Sequence, residues 1–265
     1  MNRIVERFSR LKKDGKRGLV VYIGAGDPDL SATEHLALEF DRAGVDVLEL
    51  GVPFSDPLAD GLVNQLAAQR GLKSGATPSR VLRSVRSIRR HSKIPIVLYI
   101  YFNLIHRVGL DRFIRNAARS GVDGLLILDL PPEESDRCDA LMRRAALCHI
   151  YLVAPTTPED RIKQIVNRAS GFVYYISREG VTGMQQKIAG NLAQRVDLIR
   201  AHTSLPVAIG FGVSNPKQAR QVASAADAVV VGSAIVNQIA THGRSPQLVK
   251  RVGAFVKSLA RAVHD

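Results

Sequence analysis

The hydrophobic residues of this chain follow two alternating patterns. Short apolar runs rich in Val, Ile and Leu are separated by longer segments in which apolar residues recur at helical spacing. Continuous apolar runs with intervening helices indicate parallel strands that helices cover on both faces. Eight such units favour closure into a barrel, although the pattern alone is also compatible with an open doubly wound sheet. The predicted strands are Leu19–Ile23, Val45–Leu50, Ile96–Tyr101, Gly124–Asp129, His149–Val153, Phe172–Ile176, Pro206–Gly210 and Ala228–Val231.

Capping residues mark where several helices begin. Residues 31–34 read Ser-Ala-Thr-Glu, the form of a capping box, while Thr77 and Asn215 each precede a Pro, which is favoured at the first helical position. Apolar residues at helical spacing within residues 1–16 predict an extra N-terminal helix. No long linker or low-complexity segment divides the chain. We therefore predict an α/β fold with one domain over residues 1–265, a (β/α)8 or TIM barrel with an extra N-terminal helix.

The charge balance is strongly basic, with 37 Lys and Arg against 24 Asp and Glu and a formal net charge of +13. Such a surface attracts nucleic acids or acidic partners. The densest basic cluster shares a predicted helix with an apolar stripe, which is typical of a solvated helix face, and no zinc-finger or RNA-binding aromatic motif accompanies it. We therefore predict no nucleic-acid role. The cluster consists of Arg80, Arg83, Arg86, Arg89 and Arg90, and the stripe of Val81, Leu82, Val85 and Ile88.

Cysteine and histidine usage argues against disulfide and metal frameworks. Only Cys138 and Cys148 are present, a spacing that forms no CxxC pair and fits a reducing cytoplasm. The seven His residues are dispersed without ligand spacing, so we predict no metal. No apolar run approaches the roughly 20 residues that a membrane span needs.

The second predicted strand leads into a segment rich in acidic residues. Glu49 lies between Leu48 and Leu50, so its carboxyl is expected to be partly withdrawn from water, with a raised pKa that suits proton transfer near neutral pH. A buried structural Glu that pairs with Arg or caps a loop is an equally good interpretation. Asp56 and Asp60 follow in a loop with two prolines, where Asp often only fixes the backbone.

Glycines after the seventh and eighth strands indicate an anion site. Gly210, Gly212 and Gly232 stand where a strand meets a helix, Gly232 being followed by Ser233. Gly lets the backbone approach an anion closely, and the amides at a helix start attract negative charge. The loops after strands seven and eight are the recurrent phosphate site of such barrels, so we favour a phosphate ligand over two unrelated tight turns.

Further candidates lie near other strand ends. The segment 177–183, after the sixth strand, contains two Gly, a charged pair and a Thr, and is compatible with a lid over the substrate or with an ordinary loop. Asp27, Tyr101 and Asp129, which follow or end strands one, three and four, are candidates to line the site, as is Tyr22 within strand one.

Residues 48–61 resemble the signature of tryptophan synthase α subunits, and the similarity extends in the same order over essentially the whole chain. It includes Ala-Gly-Asp-Pro at 25–28, Asp-Leu-Pro at 129–131 and Gly-Val-Thr-Gly at 180–183. It continues through Gly-Phe-Gly-Val at 210–213 and Gly-Ser-Ala-Ile at 232–235. The sequence departs from the common pattern at Gly24, at residues 62–65 and at Glu179, none of which removes a candidate catalytic carboxylate or phosphate glycine.

The resemblance assigns roles residue by residue. It implies that Glu49 is the general acid and base, that Asp60 is the second catalytic carboxylate and that Tyr174 lies beside them. It also implies that Phe211 contacts the indole, that Thr182 closes with the lid, and that backbone groups near four residues hold the phosphate, namely Gly183, Gly212, Gly232 and Ser233. Tyr22, Tyr101 and Asp129 are the remaining predicted substrate contacts.

The same resemblance implies a reaction and a partner. The expected reaction is retro-aldol cleavage of indole-3-glycerol phosphate to indole and glyceraldehyde 3-phosphate, with no cofactor in this chain. The expected partner is a β subunit that contains pyridoxal phosphate, in an α2β2 complex, sensed by residues 53–60 and the 177–183 segment. The alternatives are a non-catalytic activating subunit, a stand-alone indole-releasing lyase, and another phosphate-binding barrel enzyme, which the absence of Lys from the predicted strand ends disfavours for Schiff-base aldolases.

Overall fold

The computed structural model describes residues 1–176, 185–210, 212–243 and 245–265, without the side chains of residues 185–191. The described strands are all parallel and close into a barrel in sequence order, with the first strand paired to the last. This confirms the predicted (β/α)8 barrel and excludes the open sheet. The strands are β1 Gly18–Gly24, β2 Val47–Gly51, β3 Ile96–Ile100, β4 Gly124–Ile127, β5 Cys148–Val153, β6 Val173–Ile176, β7 Val207–Gly210 and β8 Ala228–Val231.

Helices surround the barrel. None of those in the described ranges is long and apolar enough to cross a membrane. A short 3-10 turn, Pro132–Glu134, follows β4. The α-helices of the described part are α1 Arg3–Lys13, α2 Leu30–Ala43, α3 Leu62–Lys73, α4 Pro78–Arg89, α5 Phe102–Val108, α6 Leu110–Ser120, α7 Asp136–Arg144, α8 Glu159–Arg168, α9 Gln185–Arg200, α10 Pro216–Ala223, α11 Ser233–His242 and α12 Leu248–His264.

The extra N-terminal helix closes the lower end of the barrel. Its apolar stripe, Ile4, Phe8 and Leu11, joins a cluster of side chains from the barrel interior, and the Phe8 ring lies 5.5 Å from that of Phe172. A second and larger apolar layer fills the space between the strands and the outer helices. The N-terminal end of the barrel is therefore closed. The carboxyl end of the strands stays open, and a ligand meets polar side chains there.

Two of the three predicted helix starts are confirmed. The side chains of Thr77 and Asn215 accept hydrogen bonds from backbone amides of their helices, each with Pro at the first turn. The capping box at 31–34 is wrong, because the cap lies two residues earlier. Asp29 accepts the amide of Ala32 at 2.7 Å, and Thr33 turns inward to accept the amide of Gly26. Asp29 thus takes the capping role predicted for Ser31, and Ser31 falls inside the first turn of the helix.

The basic face of α4 is not solvated throughout. The apolar stripe of α4 is buried as predicted, but the side chain of Arg89 is only 11% exposed. Its guanidinium donates to Asp123 at 2.7 Å and to the carbonyls of Gly121 and Ile94. Arg89 therefore connects α4 to the residue before β4 through Asp123. Asp123 is itself 2% exposed.

Replacing this buried guanidinium is expected to weaken the fold. Arg89→Met keeps the apolar stem but leaves Asp123 with fewer partners, so we expect the free energy of unfolding to fall by about 3 kcal/mol. The matched control is Arg83→Met, because Arg83 is exposed on the same helix. Urea unfolding followed by circular dichroism measures both variants. Equal midpoints for the two would show that the buried contacts of Arg89 contribute little.

Candidate active site

Glu49 lies in the middle of β2 and faces the interior of the barrel. Val47 belongs to the interior apolar cluster, and alternation along the strand puts Glu49 on the same face, beside Tyr22 of β1. The residue is 1% exposed, and its Oε1 has no hydrogen-bond partner among the described residues. Burial, together with the nearby charge of Asp60, raises the pKa of Glu49 to about 8. The carboxyl is therefore protonated at neutral pH.

The structural interpretation of Glu49 as an Arg-paired or loop-capping residue loses its support. No salt bridge or hydrogen bond within the described ranges involves its carboxyl, whereas buried structural carboxyls such as Asp123 and Asp46 each accept several. A neutral, desolvated carboxyl at a barrel mouth is a proton donor.

Asp60 lies in the loop between β2 and α3, and its carboxylate is held by two phenols, one in β3 and one directly after it. Tyr99 donates to Oδ1 at 2.6 Å, and Tyr101 donates to Oδ2 at 3.0 Å. The loop is fixed by the amide of Ala59, which donates to the Tyr101 hydroxyl, and by Gln65, which donates to the backbone carbonyl of Asp60. Burial raises the pKa of Asp60, and hydrogen bonds from Tyr99, Tyr101 and Asn64 oppose that rise. The carboxyl of Asp60 is thus held by hydrogen bonds that favour its charged form.

Phenol rings line the space around Glu49, and small residues make room for them. A Cβ on Gly51 would lie 2.4 Å from the Tyr22 hydroxyl, and one on Gly210 would lie 2.7 Å from the ring of Tyr174. Burial raises the pKa of Tyr174, with a further contribution from the nearby Glu49. The structure therefore brings the predicted residues Glu49, Asp60, Tyr22 and Tyr174 together.

Those predicted phosphate residues that belong to the described ranges lie at the same end of the barrel as Glu49 and Asp60. Gly212 has a φ of +62°, a conformation that favours glycine, and no atom lies within 4 Å of the position its Cβ would take. Gly232 precedes α11, of which Ser233 is the first residue. The first amides of α11 thus face the mouth after β8. Thr182, Gly183, Phe211 and the predicted lid 177–183 lie outside the described residues.

Two acidic candidates have structural partners. Asp129 is exposed two residues beyond the end of β4, and it accepts the amide of Phe102 at 2.6 Å, which caps α5. Asp27 is buried with both carboxylate oxygens held at 2.7 Å by Arg70 of α3. The expectation that Asp27 lines the site is therefore not supported, because its carboxylate is committed to anchoring α3.

Sequence reasoning missed Tyr99. The residue stands inside an apolar strand and was interpreted only as part of that strand. The available signal was periodicity, because Tyr99 and Tyr101 are two residues apart in the predicted strand Ile96–Tyr101 and would face the same side of it. Within the described ranges, no three His, Cys, Asp or Glu side chains form a group suited to a metal ion.

Comparison with known proteins gives one family. A family model described as "Tryptophan synthase alpha chain" matches residues 8–264. The tryptophan synthase alpha chain of Opitutus terrae is 52% identical over 249 residues, covering 94% of each chain. That of Geotalea uraniireducens is 45% identical over 263 residues, covering 99% of this chain and 98% of its own. The crystal structure of tryptophan synthase subunit alpha from Legionella pneumophila superposes with a TM-score of 0.92 at 37% identity, over 99% of this chain and 98% of that one. The region matched by the family model includes every residue of the site.

Proposed function

The chain belongs to the tryptophan synthase alpha chain family, and we propose that Glu49 and Asp60 carry out its reaction, the cleavage of indole-3-glycerol phosphate in tryptophan biosynthesis. The products are indole and glyceraldehyde 3-phosphate, so the enzyme is a carbon–carbon lyase. The observation that supports these roles is the pairing of two unlike carboxyls at one barrel mouth. Glu49 is buried without a partner, whereas Asp60 is held by two phenols.

The different protonation states of the two carboxyls match the two demands of the reaction. Cleavage requires a proton on C3 of the indole ring and removal of the proton from the adjacent glycerol hydroxyl. Glu49, neutral at pH 7, donates the first proton, and its carboxylate then accepts the second as the carbon–carbon bond breaks. The hydroxyl proton thus replaces the one that Glu49 gave to the ring, so no external acid or base is consumed.

Asp60 stabilises the charge that develops during this sequence. Protonation at C3 puts positive charge on the indole ring. A fixed carboxylate that accepts a hydrogen bond from the ring N–H stabilises this cation, and the interaction is strongest when the positive charge is largest. The alpha chain uses no cofactor, since proton transfer and charge stabilisation suffice for a retro-aldol cleavage.

The remaining predicted residues are assigned to substrate binding. The loops after β7 and β8 are proposed to hold the phosphate through backbone amides near Gly212, Gly232 and Ser233, and the positive φ of Gly212 supports this role. The resemblance adds Gly183 for the phosphate, Phe211 for the indole and Thr182 for closure over the substrate. Tyr22, Tyr101 and Asp129 are proposed to complete the indole and glycerol contacts, and Tyr174 is proposed as a third catalytic residue beside Glu49 and Asp60.

An exposed apolar surface beside Asp60 supports the expected protein partner. Leu58, in the same loop, is 93% exposed, and Leu62 at the start of α3 is 69% exposed. Exposed apolar side chains that form a contiguous patch mark sites of protein–protein interaction. We propose that this surface docks the β subunit, which carries the pyridoxal phosphate, in an α2β2 assembly. Structures matched by this chain include the tryptophan synthase of Mycobacterium tuberculosis, with a TM-score of 0.89 at 30% identity. The cytoplasm is the proposed location, in keeping with two buried free cysteines.

A steady-state assay tests the function and separates it from its alternatives. Purified chain is supplied with indole-3-glycerol phosphate, with and without a β subunit, and glyceraldehyde 3-phosphate is measured by a coupled dehydrogenase. We expect slow cleavage by the chain alone and at least tenfold stimulation by the partner. Rapid unstimulated cleavage would instead identify a stand-alone indole-releasing lyase. Absence of cleavage under both conditions would identify a non-catalytic subunit.

A further inference from the structure

Two tyrosine hydroxyls, one in β3 and one directly after it, hold the two oxygens of the Asp60 carboxylate, and they are not equivalent. Tyr99 approaches Oδ1 at 2.6 Å, whereas Tyr101 approaches Oδ2 at 3.0 Å and also accepts the amide of Ala59. Tyr99 has no second partner among the described residues, so its only hydrogen bond there is the one it donates to Asp60. Its ring packs beside the interior apolar cluster.

We propose that Tyr99 is a positioning residue of the cleavage reaction, which holds Asp60 as an oriented carboxylate while the neighbouring Glu49 stays protonated. This inference rests on the proposed function and adds to it the group that decides which of the two carboxyls carries the charge. Tyr99 itself has no proton to exchange in the reaction, because burial and the adjacent Asp60 keep its phenol protonated.

The electrostatics of the mouth explain why such a group is needed. Two carboxyls share a poorly solvated space, and burial disfavours charge on both. Among the described residues, the titratable groups that face Asp60 are Tyr22 on β1, Glu49 on β2, Tyr99 on β3 and Tyr101 just after β3. None of them is a cation. Hydrogen bonds from neutral groups, the two phenols and the side chain of Asn64, are therefore the means of favouring the charged form of Asp60. Glu49 receives no hydrogen bond among the described residues and takes the proton.

The position of the Tyr99 hydroxyl is fixed by its ring. The rings of Tyr22 and Tyr99 meet edge to face with centroids 5.0 Å apart, and Tyr99 also packs on the interior cluster that α1 closes from below. A ring held on both sides presents its hydroxyl in one direction. Tyr99 thus fixes where the carboxylate points as well as its charge.

The test is the pH profile of Tyr99→Phe. The substitution keeps the ring and its contacts and removes one hydrogen bond to the ionised form of Asp60, a bond to a charged group that changes a pKa by about one to two units. We expect the acidic limb of kcat/KM to move upward by about one unit. At pH 7 kcat should fall about tenfold, with KM changed less than about twofold.

The matched control is Tyr151→Phe. Tyr151 is another buried phenol that donates to a carboxylate, Asp139, at 3.0 Å, but on the outer face of β5. Its variant is expected to lower the thermal unfolding midpoint and leave the pH limbs in place. If Tyr99 had only a structural role, Tyr99→Phe would likewise leave the pH limbs in place. Its activity would then fall by the same factor at every pH or stay at the wild-type level, and either outcome would overturn the proposal.

The result remains separable from the fate of the proposed function. If Glu49→Gln abolishes cleavage while Tyr99→Phe keeps the wild-type pH profile, the catalytic assignment stands and the role of Tyr99 is rejected. If Glu49→Gln and Asp60→Asn both retain wild-type activity, the catalytic assignment itself fails, and the role of Tyr99 fails with it.

Discussion

Glu49→Gln is expected to reduce cleavage of indole-3-glycerol phosphate by about a thousandfold, within the range that general acid–base catalysis contributes. The amide has nearly the shape of the neutral carboxyl and enters the same buried space, so the fold and the substrate site persist. It has no proton of suitable acidity for C3 of the indole and no basic oxygen for the glycerol hydroxyl. The loss should therefore appear in kcat, with KM nearly unchanged.

The matched control for this variant is Glu134→Gln, which removes an exposed carboxyl outside the barrel mouth. Single-turnover measurement of glyceraldehyde 3-phosphate release compares both variants with the wild type. A Glu49→Gln enzyme that retained more than a tenth of wild-type kcat would contradict the assignment of Glu49 as proton donor.

The same variant has an opposite effect on stability. The pKa of Glu49 is about 8 in the folded chain, well above the ordinary value of 4.5 that the unfolded chain provides. The folded state thus binds the extra proton between these values, so its stability falls as the pH rises through that window and levels off above pH 8. Glu49→Gln lacks this titration. We expect the variant to match the wild type near pH 4.5 and to unfold at a higher temperature at pH 8.5.

Burial and charge at this mouth explain why the sequence revealed the catalytic pair only in part. An acidic residue between Leu48 and Leu50 had to be buried in a strand, so its raised pKa followed from local sequence. Its neighbours did not follow, because Tyr99 and Asp60 are separated by 39 residues and meet only when β3 pairs beside β2. Whether Glu49 is catalytic or paired with an Arg depended on the side chains that other strands bring into the barrel interior. A local sequence pattern does not predict those side chains.

The fold was more accessible because its signals are local. Apolar β-branched runs predicted every described strand, with ends that shift by one or two residues in each strand except β8. Helix starts marked by a capping residue before Pro were predicted for the same reason. The prediction of a solvated Arg89 was wrong, since two of its acceptors, Gly121 and Asp123, lie 32 and 34 residues away in the chain. Periodicity distinguishes helix faces, but it does not show which arginine finds a buried carboxylate.

Asp60→Asn is expected to lower kcat by about a hundredfold or more, because a fixed charge opposite the developing indole cation is lost. The hydrogen bonds within the site are also mismatched. The carboxylate accepts from Tyr99 and Tyr101 on separate oxygens, whereas the carboxamide offers one oxygen and one NH2 donor to two phenols. One phenol must therefore turn away or be left without its acceptor.

The Asp60→Asn variant also reports on Glu49. Part of the rise in the pKa of Glu49 comes from the charge of Asp60, so the basic limb of kcat against pH, where Glu49 loses its proton, should move to lower pH in Asp60→Asn. Asp160→Asn, at a position 93% exposed on α8, is the matched control and should leave that limb unchanged. A basic limb that stays in place while kcat collapses would mean that Asp60 acts on the substrate without influencing Glu49. The two carboxyls would then be independent, whereas movement of the limb establishes that they titrate as a coupled pair whose proton is assigned to Glu49 by the surroundings of Asp60.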